Sequence, residues 1–371
     1  MEVNREHQSY AQSIRKSLAN FGLPRIIITA LFIFLFILAG IYGMNLPSFF
    51  GDVLRRWGMF GVLVLAMVPS IQSGIGPNFG LPVGIVGGML GALLSIELRY
   101  AGRFDFVTNQ TLSPIVGALV AIFIGVIIAT FMGILYGMLL NKVKGSEMAI
   151  SAYVGFSAVA LFCIVWALIP LRANIAILPG MGRGMRQAVN LQDDFRHAFN
   201  NLLQFNIGDM TVPTGLLLLF FFACFCMWLF TKSRLGMMMS AAGANPEYAR
   251  ASGINVDRMR ILGTTISTAF GAFGIVVYAQ SFGFLQLYVA PLMFGFLSVA
   301  AVLIGGASVR RARVFDVLFG TFVFQGILTI ALPLVSEILP PEARAGVPEM
   351  LRLIVTNGII LYALSKAKGG R

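Results

Sequence analysis

Charged side chains are scarce in this sequence: they make up 11% of its 371 residues, whereas a soluble domain carries about 25%. Hydrophobic residues make up 58%. A chain this apolar does not have enough polar residues to cover a water-facing surface. The composition therefore excludes an ordinary soluble protein and predicts an integral membrane protein.

Cysteine and histidine are also rare, at three and two residues. Cys163, Cys224 and Cys226 lie in apolar runs without a histidine at ligand spacing, which argues against a metal site or a disulfide framework. We interpret them as small residues that pack in the core or face lipid. No metal site and no catalytic residue are predicted.

The sequence also lacks an energy source of its own. It contains no G-x-x-x-x-G-K-[ST] motif, so we do not expect the chain to hydrolyse ATP itself. No apolar run carries an ionisable residue near its middle, where an ion-coupled transporter needs one. A stand-alone secondary transporter or channel is therefore the less favoured alternative. A membrane-embedded enzyme is disfavoured because His7 and His197 fall in segments predicted on opposite sides.

Acidic residues are outnumbered by basic ones, 15 to 27, and the net charge is +12. In a soluble protein this excess would suggest nucleic acid as a partner. In a membrane protein the positive-inside rule and anionic lipid headgroups account for it. We therefore predict contact with membrane lipid and no binding of nucleic acid.

Apolar runs of about 20 residues, the length that crosses a bilayer as a helix, recur along the chain without period-2 alternation. The predicted fold is an all-α polytopic membrane protein of about ten transmembrane helices in two pseudo-repeated halves. The predicted spans are 25–46, 57–75, 80–99, 113–140, 148–170, 213–231, 261–283, 290–309, 314–334 and 346–365. The repeat is suggested by Gly-Gly pairs inside the third and eighth spans, within 82–95 and 300–313.

An even number of spans places both chain ends on one side, and most of the 27 Lys and Arg residues then fall on that side. Both termini are therefore predicted to be cytoplasmic. The predicted divisions are a cytoplasmic segment 1–23 without a cleavable signal, a transmembrane domain 24–365 and a basic tail 366–371. The domain includes an external segment 171–212 and a cytoplasmic segment 232–260.

Within the external segment, apolar side chains recur at helical spacing, which is compatible with a helix on the outer surface. These residues are Phe195, Phe199, Leu202 and Leu203. His197 lies among them and is interpreted as facing solvent or headgroups rather than as a ligand.

Segment 232–260 is basic and polar between two apolar runs, so it must face water. Asn245, Pro246 and Glu247 have the order of a helix start: a capping side chain, a proline at the first position and an acid in the first turn. Gly253 is a typical helix end. A helix of about two turns does not persist alone in water, so it needs a docking surface.

The same segment resembles a known family. Residues 243–258, GANPEYARASGINVDR, are similar to the G-x-N-x-x-A-A-R-x-x-G-I pattern of permease subunits in bacterial ABC importers of the ribose/monosaccharide class. Residues 301–308, AVLIGGAS, resemble the family's Leu-Ile-Gly-Gly-Ala-Ser run, and 358–361, GIIL, fit its last helix. The resemblance extends from 232 to 365.

The resemblance implies a multi-pass permease of the bacterial inner membrane. Its partners would be ATP-binding cassette subunits, a second permease chain, identical or paralogous, and an extracytoplasmic substrate-binding protein. ATP and Mg²⁺ would bind the partner ATPase, and this chain would bind no cofactor. The residues implied to couple it to the ATPase are Gly243, Asn245, Pro246, Glu247, Ala249, Arg250, Ser252, Gly253 and Ile254.

The first half of the chain departs from the family. Where the family has Gly-Gly-Ile-Asp-Leu-Ser-Val-Gly, residues 73–84 read SGIGPNFGLPVG, without the aspartate and with two prolines. The resemblance implies ATP-driven uptake of a small polar solute, a monosaccharide first. Because of this departure, nucleosides, branched-chain amino acids and autoinducer sugars, which relatives in the superfamily carry, stay open as alternatives.

A polar solute crossing the membrane needs hydrogen-bonding groups on an interrupted or cavity-lining backbone. Glycines and a proline interrupt the apolar pattern at 72–79, so this stretch is predicted to line the pathway. The predicted lining residues are Gln72, Ser73, Asn78, Phe79, Gln280, Gln286, Gln325 and Asn357. For each glutamine the alternative is a hydrogen bond between helices, without contact to substrate.

Overall fold

The structure is a computed structural model that describes residues 23–104, 112–169, 188–288 and 290–338, with residues 350, 353, 354, 357, 358 and 361 beyond them. The described chain is mainly helical. The helices are α1 (Leu23–Ile41), α2 (Leu46–Leu65), α3 (Met67–Gln72), α4 (Pro82–Tyr100), α5 (Leu112–Lys142), α6 (Glu147–Leu168), α7 (Thr214–Lys232), α8 (Arg234–Ala244), α9 (Pro246–Ala251), α10 (Val256–Phe282), α11 (Ala290–Ile304) and α12 (Val314–Ile338).

Within the described residues, seven helical stretches are long and apolar enough to cross a membrane. They are α2 together with α3, then α4, α5, α6, α7, α10 and α12; α1 and α11 are shorter apolar helices. The predicted spans from 25–46 to 314–334 each overlap one of these helices. The last predicted span, 346–365, lies mostly outside the described residues, as do segment 1–23 and the tail, so the number ten stays a prediction.

The second span begins earlier than predicted, at Leu46 rather than at residue 57. The Asn45 side chain caps α2 by accepting a hydrogen bond from the backbone nitrogen of Ser48, at 3.2 Å. Within the helix Asp52 and Arg55 form an ion pair of 2.9 Å. These charged residues mark a polar break in the sequence, but on a helix they pair one turn apart and do not end it.

The centre of the bundle is built from α4, α5 and α10, which approach closely through small residues. A Cβ atom added at Gly88 of α4 would lie 2.5 Å from the carbonyl oxygen of Ala272 on α10. One added at Gly133 of α5 would lie 3.0 Å from the Cα of Thr265. Backbones this close exclude a side chain between them, so glycine sets the helix spacing here.

The second Gly-Gly pair does not lie inside a helix, contrary to the prediction. Helix α11 ends at Ile304, and Gly306 has a φ of +92°. Glycine is the residue that adopts this conformation without strain, and the pair forms the turn between α11 and α12. Gly87 and Gly88, by contrast, do lie inside α4. The two Gly-Gly pairs, whose correspondence suggested two repeated halves, therefore do not occupy equivalent positions. The repeat itself stays a prediction.

The described part of the external segment contains short strands rather than a surface helix. The strands are β1 (Ala188–Asn190), β2 (Phe205–Ile207), β3 (Met210–Val212) and, after α10, β4 (Phe284–Gln286). Strand β1 pairs antiparallel with β4, and β2 with β3. The prediction of an all-α fold therefore holds for the helical bundle. It does not hold for residues 188–212 and 284–286, which together we call the cap.

The predicted helix through Phe195 and Phe199 is absent, because His197 and Leu203 have positive φ values of 55° and 54°. A helix cannot continue through residues in that conformation. Phe195 and Phe199 are nevertheless buried, whereas Leu203 is exposed. Burial therefore accounts for the two phenylalanines of the pattern and not for Leu202 and Leu203, which are exposed.

Candidate functional site

Segment 232–260 folds as a chain of three helix starts, each capped by its own side chain. The hydroxyl of Ser233 accepts from the backbone nitrogen of Gly236 at 3.2 Å, which begins α8. The amide oxygens of Asn245 and Asn255 do the same for α9 and α10, accepting from the third residue after each at 3.1 and 3.0 Å. The helix start predicted at Asn245-Pro246-Glu247 is confirmed.

The far end of α9 closes as predicted at Gly253, which has a φ of +80°. Its backbone nitrogen donates to the carbonyl of Arg250 at 3.0 Å, and that of Ile254 donates to the carbonyl of Ala249 at 2.9 Å. This pair of bonds is the Schellman arrangement, which satisfies the last free carbonyls of a helix. Helix α9 is therefore a separate short element with both ends fixed.

Helix α9 has one buried side and a broad exposed one. Ala249 is buried in a small cluster with Ala242 and Val256, against which Ile254 and Met259 pack. Tyr248 is 72% exposed. Tyr248 is not among the predicted coupling residues; those of the set that are exposed are Asn245, Pro246, Glu247, Arg250, Ser252 and Gly253. The predicted set thus consists mostly of exposed side chains around an anchored helix.

Gly243 ties this segment to the interrupted stretch after α3. A Cβ atom added at Gly243 would lie 2.7 Å from the backbone nitrogen of Gly74, and one added at Gly74 would lie 2.8 Å from the Cα of Gly243. The two backbones therefore touch without side chains between them. One of the predicted coupling residues lies directly against the predicted pathway stretch.

The first predicted pathway residues bind neighbouring elements. The amide nitrogen of Gln72 donates to the carbonyl of Ala312 at 2.9 Å, and the hydroxyl of Ser240 donates to its amide oxygen at 3.4 Å. Ser73 is buried, and its hydroxyl donates to the carbonyl of Ser70 at 2.8 Å. Gln72 therefore binds the interrupted stretch to two other parts of the chain, whereas the Ser73 bond is local, within the same segment.

Asn78 is buried with both ends of its amide bound. Its nitrogen donates to the hydroxyl of Ser267 on α10 at 2.9 Å, and its oxygen accepts from the hydroxyl of Tyr136 on α5 at 2.9 Å. Phe79 is half-buried, with its ring centroid 5.5 Å from that of Phe296 on α11. The stretch is thus fixed to α5, α10 and α11.

Gln280 lies at the other end of α10 and is fully buried. Its amide oxygen accepts from the backbone nitrogen of Phe199 at 3.2 Å, and its amide nitrogen donates to the side-chain oxygen of Asn200 at 3.2 Å. From Ser267 to Gln280 the helix rises by roughly 20 Å, at about 1.5 Å per residue. The structure therefore separates Gln280 from the stretch at 72–79.

The remaining pathway residues are scattered. Gln286 is exposed in β4, Gln325 is buried in α12, and Asn357 is exposed in the last described stretch. The structure brings Gln72, Ser73, Asn78 and Phe79 together beside segment 232–260, and it does not bring Gln280 or Gln286 to them. Their role as a pathway lining stays a prediction.

A sequence profile described as "Branched-chain amino acid transport system / permease component" matches residues 49–364, which is most of the chain. The chain belongs to this family. The family predicted from residues 243–258 is thereby confirmed. Together with the seven span-length stretches of the described residues, it makes the permease a multi-pass inner-membrane protein.

Curated relatives of this permease carry different names. It is 30% identical over 164 residues to the nucleoside ABC transporter permease protein NupB of Lactococcus lactis, a stretch covering 43% of each chain. It is 28% identical over 147 residues to a tyrosine transport system permease protein of Clostridioides difficile, covering 38% of this chain and 46% of that one. It is 29% identical over 139 residues to the galactose/methyl galactoside import permease protein MglC of Salmonella typhimurium, covering 37% and 38%.

The aligned part of the permease thus spans less than half the length of each of these relatives. No solved structure matches.

The end of the permease opposite segment 232–260 holds two titratable groups with shifted pKa values. Burial raises the pKa of the Asp194 carboxyl to about 6, an effect that Arg99 opposes and Asp193 adds to. Burial lowers the pKa of the His197 imidazole, and the positive charges of Arg196 and Arg55 lower it further. His197 is half-buried in the cap, and its interpretation as a residue facing solvent or headgroups stays a prediction.

Sequence analysis missed the ionic contacts that hold the start of α10. Arg260 pairs with Glu147 at the start of α6, and Lys144 pairs with Asp257 at 2.6 Å. The partners are more than a hundred residues apart in sequence, so no local pattern marks them. Only the fold places them together.

Proposed function

We propose that this permease is the transmembrane subunit of an ABC importer that takes up a small polar solute by ATP-driven alternating access. The observation that carries the proposal is the contact of Gly243 with Gly74. Gly243 lies near the end of α8, two residues before the Asn245 cap of α9, so the contact lies where the exposed, doubly capped helix begins and meets an interrupted membrane segment. A displacement of α9 can therefore be transmitted directly to residues 72–80, where the helix is already interrupted.

In this proposal α9 docks on a separate ATPase. Its exposed residues supply a contact surface with Glu247 near the start of the helix and Arg250 near its end. Each charge lies at the terminus where the helix dipole favours it. ATP and Mg²⁺ bind the ATPase, not this chain. We propose that segment 232–260 and both termini lie in the cytoplasm.

The importer also includes a second permease chain, identical or paralogous, and an external substrate-binding protein. The pathway lies between the two permeases. Family membership supports these partners in general terms. In this proposal the binding protein docks on the cap, which contains strands β1 to β4.

For the cargo we propose a monosaccharide first, with a nucleoside or an amino acid as the alternative. The names of the relatives include galactose, nucleosides and tyrosine, so they support a small polar solute as the class. The amides and hydroxyls of Gln72, Ser73 and Asn78 bind protein groups, so the solute class rests on the names of the relatives.

The test is co-purification and uptake with the tagged permease expressed from its own operon. We expect an ATPase to co-purify, and Glu247→Arg and Gly253→Pro to lose both the ATPase and the uptake. Asp193→Arg makes the same charge change on an exposed residue of the opposite end and serves as the control, with the ATPase retained. Uptake that persists without any ATPase would contradict the proposal and favour a secondary transporter.

Cargo is tested in the same cells with radiolabelled galactose, uridine and tyrosine. We expect ATP-dependent uptake of galactose to exceed that of the other two. Preference for uridine or tyrosine would overturn the monosaccharide assignment and leave the importer proposal standing.

A further inference from the structure

The loop between α5 and α6 is bound to the start of α10 by a network with a shielded ion pair at its centre. The side chains of Arg260 and Glu147 are only 10% and 13% exposed. Arg260 Nε also donates to the side-chain oxygen of Asn141 at 3.0 Å, and the carboxylate of Glu147 accepts from the backbone nitrogen of Gly145 at 2.9 Å. Both charges therefore have several partners.

A second ion pair lies beside it but is exposed. Lys144 and Asp257 are 2.6 Å apart, with side chains 43% and 53% exposed. Exposed pairs are weakened by water and salt, whereas removal of one partner from a shielded pair leaves an unpaired charge. The two pairs join the same two elements, so they form a matched comparison in which burial is the main difference.

The shielded pair lies one helical turn after a cluster that packs α9 against the start of α10. Ile254 and Met259 pack on the cluster of Ala249, Ala242 and Val256, so α9 and the first turn of α10 are held together. Arg260 follows in the next turn. A displacement of α9 that carries the first turn of α10 with it would move Arg260, and through Glu147 the α5–α6 loop.

The α5–α6 hairpin in turn contacts the interrupted stretch, at residues other than the one that touches Gly243. Tyr136 on α5 donates to Asn78 at 2.9 Å. On α6, a Cβ atom added at Gly155 would lie 3.2 Å from the carbonyl oxygen of Phe79. Residues 72–80 are thus held between two routes from α9, one through Gly243 and one through the hairpin.

We infer that Arg260 and Glu147 are positioning residues that transmit displacement of α9 to the α5–α6 hairpin, and through it to Asn78 and Phe79. This inference rests on the proposed function, because it needs an ATPase that moves α9. Lys144 and Asp257 contribute little to the transmission.

The experiment measures motion of the interrupted stretch and needs no knowledge of the cargo. Cys163, Cys224 and Cys226 are replaced by alanine, Phe79 is replaced by cysteine, and the purified complex with its co-purified ATPase is labelled with a maleimide with and without ATP. In this background ATP is expected to change the labelling rate of the new cysteine.

Arg260→Gln and Glu147→Gln are expected to reduce that ATP-dependent change by about tenfold while the ATPase stays bound. Lys144→Gln is expected to change it by less than about twofold. Arg260→Lys and the exchanged pair Glu147→Arg with Arg260→Glu should restore part of the response, which a general loss of folding would not allow. If the single variants fail to reach the membrane, the exchanged pair still tests the inference.

The inference is overturned if ATP does not affect labelling in the parent background, if Arg260→Gln responds like the parent, or if Lys144→Gln loses the response equally. Failure of the proposed function looks different: no ATPase co-purifies with the unaltered permease.

Discussion

The two ends of the bundle differ in the contacts at their centre. Around segment 232–260 the elements are joined by side-chain caps, ion pairs and a contact between two glycine backbones. At the opposite end, the uncharged amide of Gln280 binds Phe199 and Asn200 beneath a cap of turns and short strands. One end exposes a short, separately capped helix, and the other closes over a buried amide.

This difference indicates which end is suited to move. A short helix fixed at both of its own ends can shift as a unit, because its internal hydrogen bonds are independent of its neighbours. A buried amide that satisfies backbone groups of another segment cannot shift without leaving those groups unpaired. The comparison predicts that substitutions at the Gln280 end act mainly on stability, and those at the α9 end mainly on coupling.

The largest effect is expected from Gln280→Leu. The variant keeps the volume but leaves the backbone nitrogen of Phe199 and the side-chain oxygen of Asn200 without their Gln280 partner, at about 1–3 kcal/mol for each buried group. Thermal unfolding of the detergent-purified permease measures the loss. Gln286→Leu, at an exposed glutamine of β4, is the control and should change the unfolding free energy by about 0.5 kcal/mol or less. Equal melting temperatures for the two variants would contradict this account of the cap.

Gly243→Ala, at the other end, is expected to have a smaller effect and to lower the free energy of unfolding by about 1–3 kcal/mol. The added methyl group has no space between the backbones of residues 243 and 72–74. We expect ATP-dependent uptake to fall more than the unfolding temperature does. If stability and uptake fall in proportion, the contact is only structural and the contrast between the ends is weakened.

The residues at the α9 end were the easier ones to predict. Caps, a proline at the first helical turn and a glycine at the end act over a few residues, so Asn245, Pro246 and Gly253 carry a local signal. The helices of the bundle were found for a similar reason, since an apolar run of spanning length is also local.

The contacts that the sequence did not reveal are non-local. For Gln280 the sequence leaves a pathway lining and a hydrogen bond between helices as alternatives, because an isolated glutamine in an apolar run does not show what it binds. The pair of Arg260 with Glu147 depends on how α5, α6 and α10 assemble. The turns at His197 and Leu203 have a backbone conformation that their residue types do not predict. In each case tertiary contacts decide the outcome.

Asn245→Ala and Gly253→Ala test α9 more finely. Each substitution is expected to destabilise the helix by about 1 kcal/mol. The first removes the side chain that caps the helix; the second places a side chain at a φ of +80° with no neighbour within 4 Å of its Cβ. Because Gly253→Ala strains the backbone without a steric clash, the two should weaken co-purification of the ATPase to a similar degree. Retention of the ATPase in both variants would show that the caps of α9 do not matter for docking.

The smallest effect concerns the pH dependence of the cap. The pKa of Asp194 is raised from 3.8 to about 6 in the folded protein. The folded state therefore holds this proton more tightly than the unfolded state, and the stabilisation is complete below pH 3.8 and lost as pH rises through about 6. After allowance for partial exposure to solvent, we expect about 1 kcal/mol. Unfolding temperatures measured from pH 5 to pH 8 should fall more steeply for the unaltered permease than for Asp194→Asn, which carries no proton to lose. Identical slopes would mean that the carboxyl is hydrated, and that the cap over Gln280 is more open than its buried phenylalanines indicate.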